Sequence, residues 1–447
     1  MVTLSPSGKA ALDTFVARII EEKKLPCVAC GVSTDDEEIY FNCDGFNSMD
    51  DPSRGEVNKD SVFWICSQTK LVAHARSFQN LAALQLIEKG KLQVDTPVST
   101  YLPVFENPIV LDDIRIKNPS FKAATKVVLV KHLLNFSSGL FYPVTAPLHV
   151  LPPAYLAPHD QEDPVGHFYN IIKGDLPSLP LKFEPGTDFA YGYSSDTLGF
   201  IVEKITGQTL EEYCHENIFK PLGMTSTSFY LTPELKAKGI NLAFPVNGKL
   251  EPLVNQVKLI EQDPSRVKLH LGGTGLYSSM KDYLTLLRHL LQIKGKEEFF
   301  ASSPSAISPT TLFLAGKTPP NSILSPRTVE EIFTPTLPSS AVTSLDFFLS
   351  FLGIPAGNQW SSALALRTED WPGGYKKGSA FWSGWAGTLG HIDPETGVAV
   401  VFASQVVPSL DGAPFKLHNE FQGILYSNLQ KSETLLKATP KHLGPKM

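Results

Sequence analysis

The sequence predicts an α+β fold in which one sheet, built from both termini, carries a large, mainly helical insertion. Three observations predict it. Strand-like runs sit near both ends of the chain, helical periodicity recurs between them, and proline is abundant in the loops of that middle stretch, with 35 in the 447 residues against a usual ~5%. Hydrophobic residues make up 42% and charged residues 19%, so the chain can build a large core and does not read as disordered. The 39 basic and 45 acidic side chains leave a net charge of −6, which argues against a nucleic-acid partner. No run approaches the ~18 apolar residues of a membrane span, and the N-terminus lacks the basic-then-apolar layout of a secretion signal. A cytoplasmic address is expected.

Residues 5–24 set Leu12, Phe15, Val16, Ile19 and Ile20 on one helical face, with Ser5 or Ser7 as cap and Pro26 as stop. Two strands follow, Cys27–Ser33 and Glu38–Asn42, joined by an acidic turn. Helices are expected near 78–89, 127–135, 196–206, 209–218 and 280–293, and a long irregular insertion over about 296–327. Toward the end, Ser379–Trp382 and Val398–Gln405 read as strands with Asp393–Gly397 as the turn between them. A last helix presents Phe421, Ile424, Leu425 and Leu429. The expected division is a sheet region from 1–66 and 377–447, and a helical region over 67–376.

Cys27 and Cys30 form a C-x-x-C, but on a strand, residues three apart face opposite ways and the thiols do not meet. With Cys43, Cys66 and Cys214 the total is odd and scattered, which favours free thiols and buried structural roles. The histidines show no metal-ligand spacing, and no metal or organic cofactor is called for. Gly316-Lys317-Thr318 resembles the tail of a phosphate loop, yet Thr311 stands where that loop needs its first glycine, and Pro319 follows.

Ser-x-x-Lys occurs three times, from Ser67, Ser265 and Ser278. If Ser67 opens a helix, Lys70 lies on the same face about 5–6 Å away at Cβ. Apolar runs on both sides bury that pair, and burial disfavours an ammonium, as a lysine base requires. A helix N-terminus would also aim backbone N–H groups at an oxyanion formed on Ser67. Ser265 lies in a charged segment and Ser278 looks like a helix cap, so both read as surface features.

Asp60–Lys70 followed by Leu84–Pro103 resembles the serine β-lactamase and penicillin-binding-protein superfamily. The closer likeness is to its class C β-lactamase-like branch of esterases and fungal transesterases. Further matches lie at His132–Leu140, Pro185–Tyr191, Lys220–Met224 and Gly272–Ser278, in order, over roughly residues 25–410. The resemblance implies a β-lactamase-like antiparallel sheet flanked by N- and C-terminal helices. It further implies Ser67 as nucleophile, Lys70 and a motif tyrosine for proton transfer, with Tyr191 favoured and Tyr193 as the alternative. Trp382-Ser383-Gly384 stands where the family has Lys-Thr-Gly, and the N–H groups of Ser67 and Trp385 would form the oxyanion hole. Lacking a cation at 382, the chain looks more like an enzyme of neutral esters or thioesters than a β-lactamase. One departure stands out: about six residues near 74–79 exceed the family pattern, about 9 Å of helix at 1.5 Å per residue, or a bulge.

The reading is a serine acyl-enzyme hydrolase or acyltransferase that takes a small-molecule acyl donor and, in the transesterase case, an alcohol acceptor. A true β-lactamase and a catalytically degenerate binding protein are the alternatives.

Overall fold

The first apolar stripe forms α1 (Pro6–Glu21), with Pro6 at its first position and the Ser5 hydroxyl accepting from Gly8 N–H at 3.0 Å. The chain then runs through β1 (Cys27–Ser33), β2 (Glu38–Gly45) and β3 (Val62–Trp64). Next come α2 (Gln79–Glu88), α3 (Ser194–Thr206), β4 (Tyr277–Ser279), α4 (Met280–Lys294) and α5 (Val342–Ser350). It closes with β5 (Asn358–Trp360), β6 (Ala365–Arg367), β7 (Ala380–Gly384), β8 (Thr388–Asp393), β9 (Val398–Ala403) and α6 (Ala413–Asn428). This computed structural model describes residues 2–70, 79–115, 118–143, 151–156, 159–253, 259–295, 319–409 and 412–431. The segment 71–78, most of the insertion expected at about 296–327, and the phosphate-loop-like Gly316-Lys317-Thr318 lie outside the described residues.

Among the described residues the main sheet has seven strands in the order β5-β6-β7-β8-β9-β1-β2, every neighbouring pair antiparallel. Side chains alternate across it. Phe402 packs on Phe421 of α6 at 5.9 Å, so that face carries α6, and α1 packs on α6 beside it. The next residue, Val401, pairs with Gly31, whose Cα lies against Leu284 of α4, so the opposite face carries α4. Trp382 pairs with Gly390, and Gly390 in turn pairs with Val401, which puts Trp382 on the α4 face.

Several expectations are corrected. Ser379–Trp382 and Val398–Gln405 do not pair with each other: β8 runs between them, and Asp393–Gly397 turns β8 into β9. All six residues of β8 are buried, the polar Thr388, His391 and Asp393 with the apolar Leu389 and Ile392, so no alternation marks it, and Gln68 and Tyr283 press against Gly390. β5 and β6 lie within the stretch 67–376 expected to be helical, and α4, also from that stretch, packs on β9 and β1. The sheet region therefore takes in more of the chain than 1–66 and 377–447. Leu429 leaves the last helix to start a short strand that pairs with Val2–Leu4, because the terminal strand needs it extended. The helix expected at 127–135 shortens to Val130–Leu134, and Pro326 starts a helix that ends the predicted loop.

Cys27, Cys30, Cys66 and Cys214 are buried and Cys43 is half-buried, and no disulfide joins any two of them. Between β8 and α6, His391, His418, Tyr426 and Asp393 form a buried polar group. Tyr426 donates to Asp393 at 3.0 Å, so His391 Nε2 must donate to Tyr426 at 3.0 Å and Nδ1 carries no proton. His418 Nδ1 accepts from Gln422 at 3.0 Å. Burial holds His391 well below the usual histidine range and His418 down to about 3.

In the unfolded chain both imidazoles take a proton below about pH 6.5, and in the folded one they do not. Stability is therefore complete above pH 6.5 and falls as pH drops from there toward 3, by about 2 kcal/mol per histidine at pH 5. Urea unfolding at pH 7.5 and pH 5.0 is expected to show this loss, and His418→Gln is expected to reduce the dependence. Equal midpoints at the two pH values would contradict it.

Candidate active site

The turn that carries Ser67 is fixed from three sides. β3 pairs antiparallel with β4. Gln405, just after β9, accepts from Trp64 N–H at 2.9 Å and donates to Trp64 C=O at 3.2 Å. Thr388 of β8 donates to Ile65 C=O at 3.1 Å, and the Thr69 hydroxyl accepts from Leu276 N–H at 2.9 Å. The backbone reverses at Cys66, whose φ of 44° is left-handed for a non-glycine residue and costs about 1–3 kcal/mol. A short 3₁₀ turn, Cys66–Gln68, then begins the helical run that reaches Lys70. Ser67 is the half-buried residue in an otherwise buried stretch, so its hydroxyl faces an opening.

Lys70 is wholly buried, with Nζ 3.0 Å from Ser67 Oγ and 2.6 Å from Gly273 C=O. The rings of Tyr191 and Tyr142 lie 4.9 and 5.4 Å from the amine. Burial drives its pKa down to about 8, against the opposing pull of Asp196 and Cys66. Tyr191 stacks on Phe348 at 4.8 Å and meets Trp382 at 5.3 Å, and its phenol receives hydrogen bonds from Ser67 and Trp382. Burial still raises that phenol well above its usual range. Tyr193, two residues on, is 1% exposed and packs among Phe168, Tyr155 and Tyr142 at 5.4, 5.6 and 4.9 Å. Of the two candidates, Tyr191 is therefore the one beside Ser67 and Lys70.

β7 passes against the Ser67 turn. Gly384 is required there: a Cβ would run into Ile65 C=O and Thr388 Oγ1. Trp382 packs edge-on to Trp360 at 4.8 Å, and Trp385 edge-on to Trp64 at 6.2 Å. Ser383 is buried. The N–H groups of Ser67 and Trp385 both favour the charged form of the Cys66 thiol, which burial nonetheless pushes up.

Sequence reasoning missed the residues behind Lys70. Gly273 N–H donates to Asp196 Oδ1 at 2.7 Å, Tyr155 donates to Asp196 Oδ2 at 2.8 Å, and Tyr142 meets Tyr155 at 2.6 Å. Asp196 is wholly buried, and burial raises its pKa to about 6 against the pull of Lys70. One signal existed: α3 is buried from Ser194 through Val202, and an acid inside such a run needs a partner.

The other two Ser-x-x-Lys runs lie elsewhere. Ser265 is exposed and bonds Asp263 at 2.7 Å. Ser278 is not a surface cap: it is buried in β4, paired with Thr227 at 2.8 Å, and Ser279 caps α4 instead. Among the described residues no group of three His, Cys, Asp or Glu side chains could hold a metal ion.

The beta-lactamase family profile matches residues 12–423. Acyltransferase calJ of Penicillium decumbens is 28% identical over 389 residues, covering 83% of this chain and 82% of that protein. Lovastatin esterase of Penicillium rubens is 27% identical over 418 residues, covering 89% and 93%. Among solved structures, unliganded simvastatin synthase from Aspergillus terreus superposes with a TM-score of 0.74 at 22% identity, covering 95% of this chain and 99% of that one.

Gly384→Ala is expected to push β7 off the Ser67 turn. Activity should drop by about 100-fold, the scale set by roughly 1 Å of misplacement. Thermal unfolding is expected to shift down as well, and an alanine variant of undiminished activity would show that this close approach is not needed.

Proposed function

The chain belongs to the beta-lactamase family, and on that premise we propose that it is a serine-dependent esterase or acyltransferase acting on small-molecule esters or thioesters. The observation that carries the reading is a buried lysine, its pKa near 8, with Nζ 3.0 Å from the Ser67 hydroxyl. An amine held near neutrality at hydrogen-bond distance is what a serine needs to become a nucleophile.

In the proposed cycle Ser67 Oγ attacks the acyl carbonyl carbon as its proton passes to neutral Lys70. The N–H groups of Ser67 and Trp385 receive the oxyanion. Collapse of the tetrahedral intermediate breaks the bond to the leaving alcohol or thiol, which takes its proton from Lys70 through the Tyr191 phenol. Water or an acceptor alcohol then attacks the Ser67 ester, its proton passing through Tyr191 to Lys70, and the second tetrahedral intermediate collapses as Lys70 returns that proton to the departing Ser67 Oγ. Tyr191 suits a relay: burial keeps its phenol protonated, and it touches Ser67.

Trp382, with Ser383 and Gly384 beside it, supports esters over β-lactams. An indole offers no cation to the carboxylate that a β-lactam presents, and it packs with Trp360, Phe348 and Tyr191 into an aromatic wall. The two curated relatives described above carry the names of an acyltransferase and an esterase. No helix among the described residues is long and apolar enough to cross a membrane. We also propose a cytoplasmic address, which five cysteines joined by no disulfide support.

Three outcomes are expected. A fluorophosphonate probe labels Ser67, and Ser67→Ala abolishes both labelling and p-nitrophenyl ester hydrolysis; a fully active alanine variant would sink the assignment. Tyr191→Phe cuts kcat by about 10²-fold or more, whereas Tyr193→Phe stays near wild type. The ascending limb of kcat/KM against pH falls near 8, because only the neutral amine accepts the serine proton and the ammonium form predominates below that value.

A further inference from the structure

Behind Lys70, on the side away from Ser67, a chain of hydrogen bonds ends on a carboxylate. Lys70 Nζ donates to Gly273 C=O at 2.6 Å, and the N–H of the same glycine donates to Asp196 Oδ1 at 2.7 Å. The second carboxylate oxygen receives Tyr155 at 2.8 Å. Since the Tyr155 proton is spent there, Tyr142 must donate to Tyr155 across their 2.6 Å contact. The Tyr142 ring then returns to Lys70, 5.4 Å from the amine. The circuit closes on itself: Lys70, Gly273, Asp196, Tyr155, Tyr142 and back to Lys70. Both oxygens of Asp196 are committed, and every member is buried or half-buried.

The geometry leaves no slack. A Cβ on Gly273 would stand 2.6 Å from Asp196 Oδ2 and would overlap the Tyr155 hydroxyl, so residue 273 has to be glycine for the carboxylate to come this close. A carboxylate drawn from water into such a place is costly unless its charge is used. The ionisable groups facing Lys70 are Asp196 from α3, Cys66 from the nucleophile turn, and the phenols of Tyr142 and Tyr191. Those facing Asp196 are Lys70 and the tyrosines 142, 155, 169, 191 and 193, all kept protonated by burial. Asp196 is thus the buried acid opposite the buried base.

Resting on the function proposed above, we infer that Asp196 is a positioning residue for acyl transfer. Through the Gly273 peptide and the Tyr155–Tyr142 arm it holds the Lys70 amine against Ser67 and sets the pH at which that amine becomes neutral. Asp196 touches no substrate and takes no proton in the cycle: the serine proton goes to Lys70 Nζ and leaves from there, while the carboxylate stays charged.

The test is Asp196→Asn, which keeps shape and removes charge. Without the anion the ammonium loses its support, so the lysine becomes neutral at lower pH. The ascending limb of kcat/KM is expected to move down by about one pH unit. The plateau of kcat is expected to fall by about 10-fold to 100-fold with the amine less well held. A role confined to folding would lower thermal stability and the plateau but leave the limb in place, and that result overturns the inference. Should the asparagine variant fail to fold, Tyr155→Phe strips one donor from the carboxylate while keeping the ring. It leaves the anion less shielded, so the limb is expected to move up, opposite to Asp196→Asn, and an unmoved limb again overturns the inference. Ser67→Ala run alongside separates the two levels. An active alanine variant removes the serine reading itself, whereas an inactive one with an unmoved limb in Asp196→Asn removes only the role of Asp196.

Discussion

An amine buried beside a serine hydroxyl constrains everything built around it. Taking an ammonium out of water costs several kcal/mol unless neighbours replace its hydration. Lys70 has such neighbours: the Gly273 carbonyl at 2.6 Å, the Ser67 hydroxyl at 3.0 Å and the faces of two tyrosine rings. Too many of them would lock the charge in place, and the amine would then be useless as a base near neutral pH. Burial wins by a margin that leaves the pKa near 8, which on the proposed function is low enough for an appreciable neutral fraction and high enough for the ammonium to return a proton.

The neighbours come from distant parts of the chain. Tyr142 lies far upstream of α3 and Tyr191 just before it, Asp196 lies in its first turn, Gly273 precedes β4, and Trp382 rides on β7. A site of this kind exists only when the helical region is docked on the sheet. The contacts that hold the Ser67 turn serve that docking, since Gln405 and Thr388 reach it from the sheet and Leu276 from the loop before β4. Gly384 and Gly273 act in one manner on its two sides, each absent side chain letting a backbone approach that a methyl group would block.

What the sequence disclosed follows from how local each feature is. Ser67 and Lys70 were legible because a three-residue spacing inside an apolar run already fixes their relation. β1 matches its expected bounds, and α1 and α4 nearly do, because their patterns span whole elements. β8 was hidden since both its faces are covered, so its sequence carries no alternation. Tyr191 and Tyr193 could not be separated on physical grounds alone: both are aromatic, two residues apart, with Gly192 between them pressed on the Leu140 carbonyl. Their surroundings distinguish them: Tyr193 packs into Phe168 and Tyr155, whereas Tyr191 lies beside Lys70 and Ser67. The circuit through Asp196 was out of reach because its links join positions far apart in sequence, and nothing local marks Gly273 as the partner of both Lys70 and Asp196.

The two sides of Ser67 differ in chemistry, and on the proposed function that difference divides the work. On one side lie a charge pair and peptide N–H groups, whose interactions strengthen as the serine proton moves and an oxyanion forms. On the other lie Tyr191, Phe348, Trp360 and Trp382, packed ring on ring within 4.8–6.4 Å. A wall of rings attracts an acyl chain equally in the ground state and the transition state, so it sets which donors are held and adds little to the rate of the chemical step. Interactions that appear only with the developing charge set that rate. Substitutions along the wall should therefore move KM and donor preference, and substitutions along the polar side should move kcat. Tyr191 belongs to both sides, its ring in the wall and its hydroxyl against Ser67, which makes it the point where holding a donor and transferring its acyl group are coupled.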